Sequence, residues 1–159
     1  MLAIVETIRP PHLAGETMSD QFVLLVHAGA TLYMVGIIWF VQVVHYPLFS
    51  LIGEGQYSDY QKSHITRTGW IVFPGMIPEL ICAVWIVLYV EDVSRSLAYV
   101  GLILVVLLWG LTGVFSVPAH SRLTEGFDDS IWKKLVLTNW SRTIVWSVRG
   151  CISLLMLVD

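Results

Sequence analysis

Residues 97–117 read LAYVGLILVVLLWGLTGVFSV, and no side chain in this stretch carries a charge. An α-helix needs about 20 predominantly apolar residues to cross the roughly 30 Å of hydrocarbon in a bilayer. The stretch has that length and that composition, which is typical of a membrane-spanning helix. The rest of the chain is interpreted from this prediction.

The composition of the whole chain indicates a membrane protein. Of its 159 residues, 56% are apolar and 13% are charged, whereas soluble domains carry about 25% charged residues. The mean hydropathy is +0.73. Further apolar stretches of spanning length lie at residues 22–49, 69–90 and 135–158. We predict an all-α fold, an integral membrane four-helix bundle.

The predicted domain organisation has two parts. Residues 1–19 contain acidic residues and a Pro-Pro pair, so they lack the basic start and continuous apolar core of a secretory signal. We predict that they form a flexible N-terminal arm and that residues 20–159 form the transmembrane domain. Met18 is an alternative start, so whether residues 1–17 belong to the native protein is left open.

The orientation in the membrane is predicted from the basic residues of the loops, which concentrate on the cytoplasmic side. One side holds five of them and the other holds two. We predict an integral protein of the bacterial inner membrane, with both polar connectors in the cytoplasm and both termini outside it. The five basic residues are Lys62, Arg67, Arg122, Lys133 and Lys134, and the two are Arg9 and Arg95.

The connector between the first two predicted spans has a polar and aromatic stripe at helical spacing. We predict an amphipathic helix that lies at the interface and covers the end of the bundle. The stripe consists of Tyr57, Tyr60, Gln61 and His64.

Polar residues within the predicted spans are expected to face the interior of the bundle, because lipid does not satisfy them. Glu79 and Arg142 are predicted at matching depth, and a Glu79–Arg142 ion pair follows from the cost of an unpaired charge there. Pro74 and Pro78 are expected to kink or unwind the helix beside Glu79. Two stripes share single helix faces: Thr31, Ile38, Gln42 and His45 in the first span, and Asn139, Arg142, Trp146 and Arg149 in the last.

Three histidines are predicted to share a shallow layer on the cytoplasmic side. His45, His64 and His120, together with Glu79, are the residue types that bind zinc, iron or copper, and a metal would neutralise the buried acid. A transition metal held by these four residues is therefore predicted. Asn139 and Arg142 would orient ligands or bind an anionic group of the substrate. The predicted catalytic residues are Glu79, Asn139 and Arg142.

Haem is an alternative cofactor. His45 and His120 are the pair on one side that could ligate haem iron axially. His27 is predicted at the opposite membrane face, where it would be satisfied within the bundle. Arg149 is expected to extend its charged end toward water.

Four strings carry a resemblance to known families: WFVQVVHYPLF (39–49), PGMIPE (74–79), VPAH (117–120) and LTNWSRT (137–143). They resemble an uncharacterised family of small four-span bacterial membrane proteins, over roughly residues 35–150. More distantly, the chain is similar to the anthrone-oxygenase-like domain of unknown function, although His120 stands where that family has asparagine. That resemblance implies an oxygenase acting on polycyclic aromatic polyketides, and it groups Pro118, His120, Asn139 and Arg142 in one site.

The sequence thus favours a membrane oxidoreductase, of the oxygenase or hydroxylase type, that acts on a hydrophobic small molecule. The alternative is a non-catalytic accessory subunit of a larger membrane complex that binds haem, pigment or lipid. A proton-coupled transporter that uses Glu79 and Arg142 is a third hypothesis. The expected partners are the bilayer, the small molecule and a second copy or a larger complex, with no nucleic acid.

Overall fold

The computed structural model describes residues 20–158, and these residues contain helices and no strand. The predicted N-terminal arm lies outside the described residues. The all-α fold is confirmed. The α-helices are α1 (Asp20–Phe40), α2 (Glu54–Tyr89), α3 (Arg95–Leu111), α4 (Val117–Leu123) and α5 (Asp129–Leu155).

Wider and tighter helical turns extend two of these helices. A π-helical segment, Val41–His45, continues α1 and is followed by a 3₁₀ segment, Pro47–Leu51. A second π-helical segment, Thr112–Ser116, joins α3 to α4. The described residues therefore form four long helical rods. They are α1 with the segments that follow it to Leu51, α2, α3 continued through to the end of α4, and α5.

Each rod packs against two neighbours. The helix α1 contacts α2 and α5, and α3 contacts the same two helices from the other side. The rods thus form a closed ring in the described part of the chain. Their outward faces are apolar, with Trp70, Ile103 and Leu137 more than half exposed. Side chains of this kind on the outside of a bundle are suited to contact with lipid rather than water.

Three of the rods are long and apolar enough to cross a membrane, and they comprise Asp20–Leu51, Glu54–Tyr89 and Arg95–Leu123. The fourth, α5, carries Lys133, Lys134, Arg142 and Arg149, which lower its hydropathy. Both arginines are buried inside the bundle, at 6% and 1% exposure, so the outward face of α5 keeps its apolar residues. Its crossing of the membrane stays a prediction.

The predicted interfacial helix is not a separate element, and this prediction is wrong. It is the first part of α2, which runs unbroken for 36 residues, or about 54 Å. Pro74 and Pro78 both lie inside this helix and do not unwind it. The stripe of Tyr57, Gln61 and His64 is nevertheless buried. The first part of α2 packs against the other helices at this end of the bundle, where Tyr57 shares an apolar cluster with Leu123 and Leu135.

The α5 helix starts at a well-formed N-cap. The Asp128 carboxylate accepts hydrogen bonds from the Ser130 hydroxyl at 2.6 Å and from the backbone amides of Ser130 and Ile131 at 2.8 and 3.0 Å. These bonds, the Ser130 hydroxyl first, lower the pKa of the exposed Asp128 carboxyl. The cap satisfies backbone donors that the first turn leaves unpaired.

An apolar layer fills the middle of the bundle. It consists of Met34, Ile38, Met76, Leu108 and Trp146, each with 2% exposure or less. Clusters of polar side chains lie on both sides of this layer.

The helices α1 and α2 pack tightly against each other at Gly75. A Cβ atom there would lie 2.6 Å from the Met34 sulfur and 2.8 Å from a Tyr33 ring carbon. Gly75→Ala should therefore destabilise the fold by about 1–3 kcal/mol through overpacking. The measurement is thermal unfolding in detergent, followed by tryptophan fluorescence. Gly36→Ala is the matched control, because its Cβ would meet nothing within 4 Å, and equal losses in both variants would contradict this account.

Candidate functional site

Three imidazoles from three separate helical segments meet at one end of the bundle. His45 Nε2 lies 2.9 Å from His64 Nδ1, and the ring centroids of this pair are 4.8 Å apart. The ring of His120 lies 5.0 Å from that of His64. The structure therefore brings together the histidines that the sequence assigned to one shallow layer, with His64 in contact with both others.

The two π-helical segments help to place these histidines. Each segment ends two residues before a proline, Pro47 in one case and Pro118 in the other. A proline lacks the N–H group of a regular helix and its ring clashes with the carbonyl four residues earlier, which the wider π turn relieves. His45 ends the first π segment and His120 lies two residues beyond Pro118, so both imidazoles sit beside a locally widened helix.

His120 is held through both of its ring nitrogens. Its Nε2 lies 2.8 Å from the Tyr46 hydroxyl, and its Nδ1 lies 2.7 Å from the Gln61 side-chain amide. Gln61 Oε1 has no partner in this orientation. Exchanging the amide oxygen and nitrogen lets Oε1 accept the proton of His120 Nδ1. His120 Nε2 then accepts the hydrogen bond of Tyr46, which fixes the tautomer.

A cavity of about 630 Å³ opens over His45 and His64. Thr68, one turn beyond His64 on α2, lies 3.0 Å from His64 Nδ1 and also lines this cavity. His45 is partly exposed, whereas His64 is 7% exposed. Other lining residues are Gln56, Asp59, Tyr60, Ser63, Arg67 and Ile71.

A hydrogen-bonded network lies behind the histidines. The Arg142 guanidinium lies beside the Tyr46 hydroxyl, and its Nη1 donates to the Ser116 hydroxyl at 2.7 Å and to Asn139 Oδ1 at 3.1 Å. Asn139 Nδ2 in turn donates to Gln42 Oε1 at 2.9 Å. Asn139 and Arg142 thus belong to one network with the histidines, but they do not line the cavity.

The predicted Glu79–Arg142 ion pair is wrong. Glu79 pairs with Arg149, whose Nε donates to Glu79 Oε1 at 2.8 Å. Arg142 and Arg149 lie on the same face of α5, seven residues or about 10 Å apart, so the sequence pattern gave Glu79 two candidate partners. Glu79 therefore lies level with Arg149 along the bundle, about two turns of α5 from Arg142.

The Glu79–Arg149 pair is the centre of a second polar cluster, which also contains His27. Trp146 Nε1 donates to Glu79 Oε2 at 3.2 Å. Arg149 donates to the Gly101 carbonyl through Nη1 and to His27 Nε2 at 3.1 Å through Nη2. Because arginine is always a donor, His27 is the neutral tautomer with its proton on Nδ1. The expectation that Arg149 extends toward water is wrong, since it is 1% exposed.

This geometry bears on the predicted metal. Glu79 lies in the second cluster, on the far side of the apolar layer from the histidines. Ligand nitrogens on a tetrahedral zinc ion lie about 3.3 Å apart, whereas His45 and His64 are at hydrogen-bonding distance. Within residues 20–158, no group of three or more His, Cys, Asp or Glu side chains is arranged to hold a metal ion. A metal on the three imidazoles stays a proposal.

The histidine contacts do not match the axial His45–His120 pair that the haem alternative requires. His64 contacts both His45 and His120, and His120 has both nitrogens engaged by Tyr46 and Gln61. An axial pair would have to break these hydrogen bonds.

The chain matches no known protein family, no curated protein and no solved structure in the comparisons made. The resemblance to the four-span family and to the anthrone-oxygenase-like domain therefore stays a prediction. What can be proposed about function depends on the geometry of the histidine end of the bundle.

Several residues of the site were not predicted for their roles. Tyr46 stands next to His45 in sequence, yet its hydroxyl serves His120, 74 residues away. Gln61 belongs to the predicted stripe of α2, and its position on the same helix face as His64 was the signal in the sequence that it could contact the site. Thr68 carried no signal, because a threonine one turn from a histidine is common on any helix.

The identity of the buried pair can be tested by double-mutant cycles. Glu79→Gln should lower the free energy of unfolding by about 3–5 kcal/mol, because it leaves the Arg149 charge buried and unpaired. Combining it with Arg149→Met should show strong coupling in denaturant titrations. The control cycle combines Glu79→Gln with Arg142→Met and should be close to additive. Coupling confined to the control cycle would contradict the structure.

Proposed function

We propose that the protein is a membrane oxidoreductase, of the oxygenase or hydroxylase type, that acts on a hydrophobic small molecule. The observation that carries this proposal is the meeting of three histidines beneath a cavity at one end of the bundle. Burying an imidazole costs folding free energy unless its ring nitrogens are hydrogen-bonded. A cluster of three imidazoles therefore favours a functional role over a purely structural one.

The cavity suits a small, mostly apolar substrate. Its volume of about 630 Å³ falls in the usual range of roughly 300–1,000 Å³ for small-molecule sites. Ile71 and the Tyr60 ring form the apolar part of its wall, and polar side chains, the two imidazoles among them, line the rest. A flat aromatic molecule that partitions into the bilayer would fit this combination of walls and polar groups.

The proposed chemistry begins with proton transfer from the substrate. An imidazole at the cavity base accepts a proton from an acidic C–H group of the bound molecule. The hydrogen bond between His45 and His64 spreads the added charge over two rings. The carbanion is then oxidised by dioxygen, so that a methylene becomes a carbonyl: R₂CH₂ + O₂ gives R₂C=O and H₂O.

Tyr46, His120 and Arg142 have a positioning role in this proposal. The Tyr46 hydroxyl and Gln61 fix the His120 ring, and the His120 ring packs against His64. Arg142 holds the tyrosine from behind and is itself fixed by Ser116 and Asn139. The predicted role of Glu79 in catalysis has no support in this arrangement, because Glu79 lies in the second cluster.

Anthrone is a suitable probe, because the resemblance points to polycyclic aromatic substrates and its methylene is acidic. Membranes containing the protein should consume dioxygen and form anthraquinone, as measured with an oxygen electrode and by absorbance. His64→Ala should reduce the rate at least about 100-fold, and Tyr46→Phe should have a smaller effect. Lys133→Gln, at a residue that does not line the cavity, is the control. A rate equal to that of empty membranes, or one unchanged in His64→Ala, would contradict the proposal.

The same preparation distinguishes two versions of this enzyme. In one version iron, copper or zinc is bound by His45, His64 and His120, and a chelator removes both the metal and the activity. In the other, the histidines act as bases without a metal, and the chelator has no effect. Elemental analysis and a visible spectrum, in which haem would show a Soret band, report the cofactor directly.

The accessory-subunit and transporter hypotheses have less support. An accessory protein has no need of two imidazoles that line a cavity with a third imidazole in contact behind them. A proton path across the bundle would have to cross the apolar layer of Met34, Ile38, Met76, Leu108 and Trp146. These side chains provide no proton carriers between the histidine end and the Glu79–Arg149 pair.

A further inference from the structure

A second cleft lies between α4 and α5, and it shares no lining residue with the cavity over His45 and His64. Its volume is about 180 Å³. Its α5 wall is a single helix face at positions i, i+3, i+4 and i+7, namely Ile131, Lys134, Leu135 and Thr138. Its other wall follows the second π-helical segment and α4, through Val114, Phe115, Pro118, Ala119 and Arg122.

The charge of this cleft is positive. Arg122 and Lys134 line it, and no acidic residue does. Neither cation takes part in an ion pair among residues 20–158. The neighbouring Lys133 differs in this respect, because it pairs with Asp129 at 2.7 Å. Asp128 is within electrostatic reach of Arg122, but its carboxylate is occupied by the cap of α5.

The walls change from charged to apolar along the helix axis. Val114 and Phe115 are 66% and 39% exposed, and eight residues, or about 12 Å, separate Val114 from Arg122. Arg122 lies near the end of α4, whereas Val114 belongs to a rod that is apolar enough to cross a membrane. The cleft therefore has two cations at the level expected of headgroups and exposed apolar side chains at the level of acyl chains.

We propose that this cleft binds the headgroup of an anionic phospholipid. Arg122 and Lys134 bind the phosphate oxygens, and the first methylene groups of an acyl chain lie against Val114 and Phe115. The paired occurrence of two free cations and an exposed apolar wall favours a lipid over a soluble phosphate compound, since the latter would leave the apolar wall unused. This site is independent of the proposed enzymatic function.

The experiment uses the full chain in nanodiscs of phosphatidylcholine with a minor fraction of phosphatidylglycerol. Native mass spectrometry after release from the nanodisc should show phosphatidylglycerol retained in preference to phosphatidylcholine. Arg122→Gln and Lys134→Gln should each reduce this preference by about fivefold, and the double variant should abolish it. Lys133→Gln is the matched control and should retain it, because Lys133 is paired with Asp129.

Two further arms make the outcome decisive. Arg122→Lys keeps the charge and should retain most of the preference, which excludes general misfolding as the cause of a loss. Glycerol phosphate, the headgroup without chains, should not displace the bound lipid. The proposal is overturned if there is no preference for the anionic lipid, if Lys133→Gln loses as much as Lys134→Gln, or if glycerol phosphate displaces the lipid at equal concentration.

Discussion

The buried ion pair between Glu79 and Arg149 constrains the rest of the bundle. Two charges with 0% and 1% side-chain exposure are tolerated only when they meet at hydrogen-bonding distance and their remaining polar atoms are also satisfied. Trp146, Gly101 and His27 supply those contacts, and they come from α5, α3 and α1. The pair with its partners therefore involves all four rods and fixes their rotation and relative depth. The histidine end of the bundle is built on that alignment.

The polar interior is divided rather than continuous. One cluster contains the ion pair and His27, the other contains the three site histidines with Tyr46 and Arg142, and Trp146 belongs to both. Its indole donates to Glu79 while its ring packs against the Arg142 guanidinium, 5.3 Å away. Trp146 thus contacts both clusters, so a movement of its side chain would affect both. The apolar side chains around it keep the charged groups of the two clusters apart.

Much of the architecture could be predicted from the sequence. The apolar stretches predicted three of the rods, and the rule that polar faces look inward placed Asn139, Arg142 and Trp146 inside the bundle, where the structure has them. The gathering of His45, His64 and His120 followed from their common side of the membrane. The partner of Glu79 was not predictable, because Arg142 and Arg149 lie on one face of α5 and differ only in their position along the helix. Which of the two lies level with Glu79 depends on where α2 begins. The continuity of α2 was hidden by its polar first half, which by composition resembles a loop or a surface helix.

The role of Tyr46 was also beyond the sequence, because it depends on a local change of helix type. The π-helical segment Val41–His45 contains about one residue more per turn than the α-helix that precedes it. Removing a single residue there would restore the ordinary pitch and rotate the following side chains by about 100°, away from α2 and α4. A site of this kind can arise or vanish through one codon inserted or lost, with the scaffold unchanged. Relatives that share the bundle but have a regular helix at this point would keep the architecture and lack the chemistry.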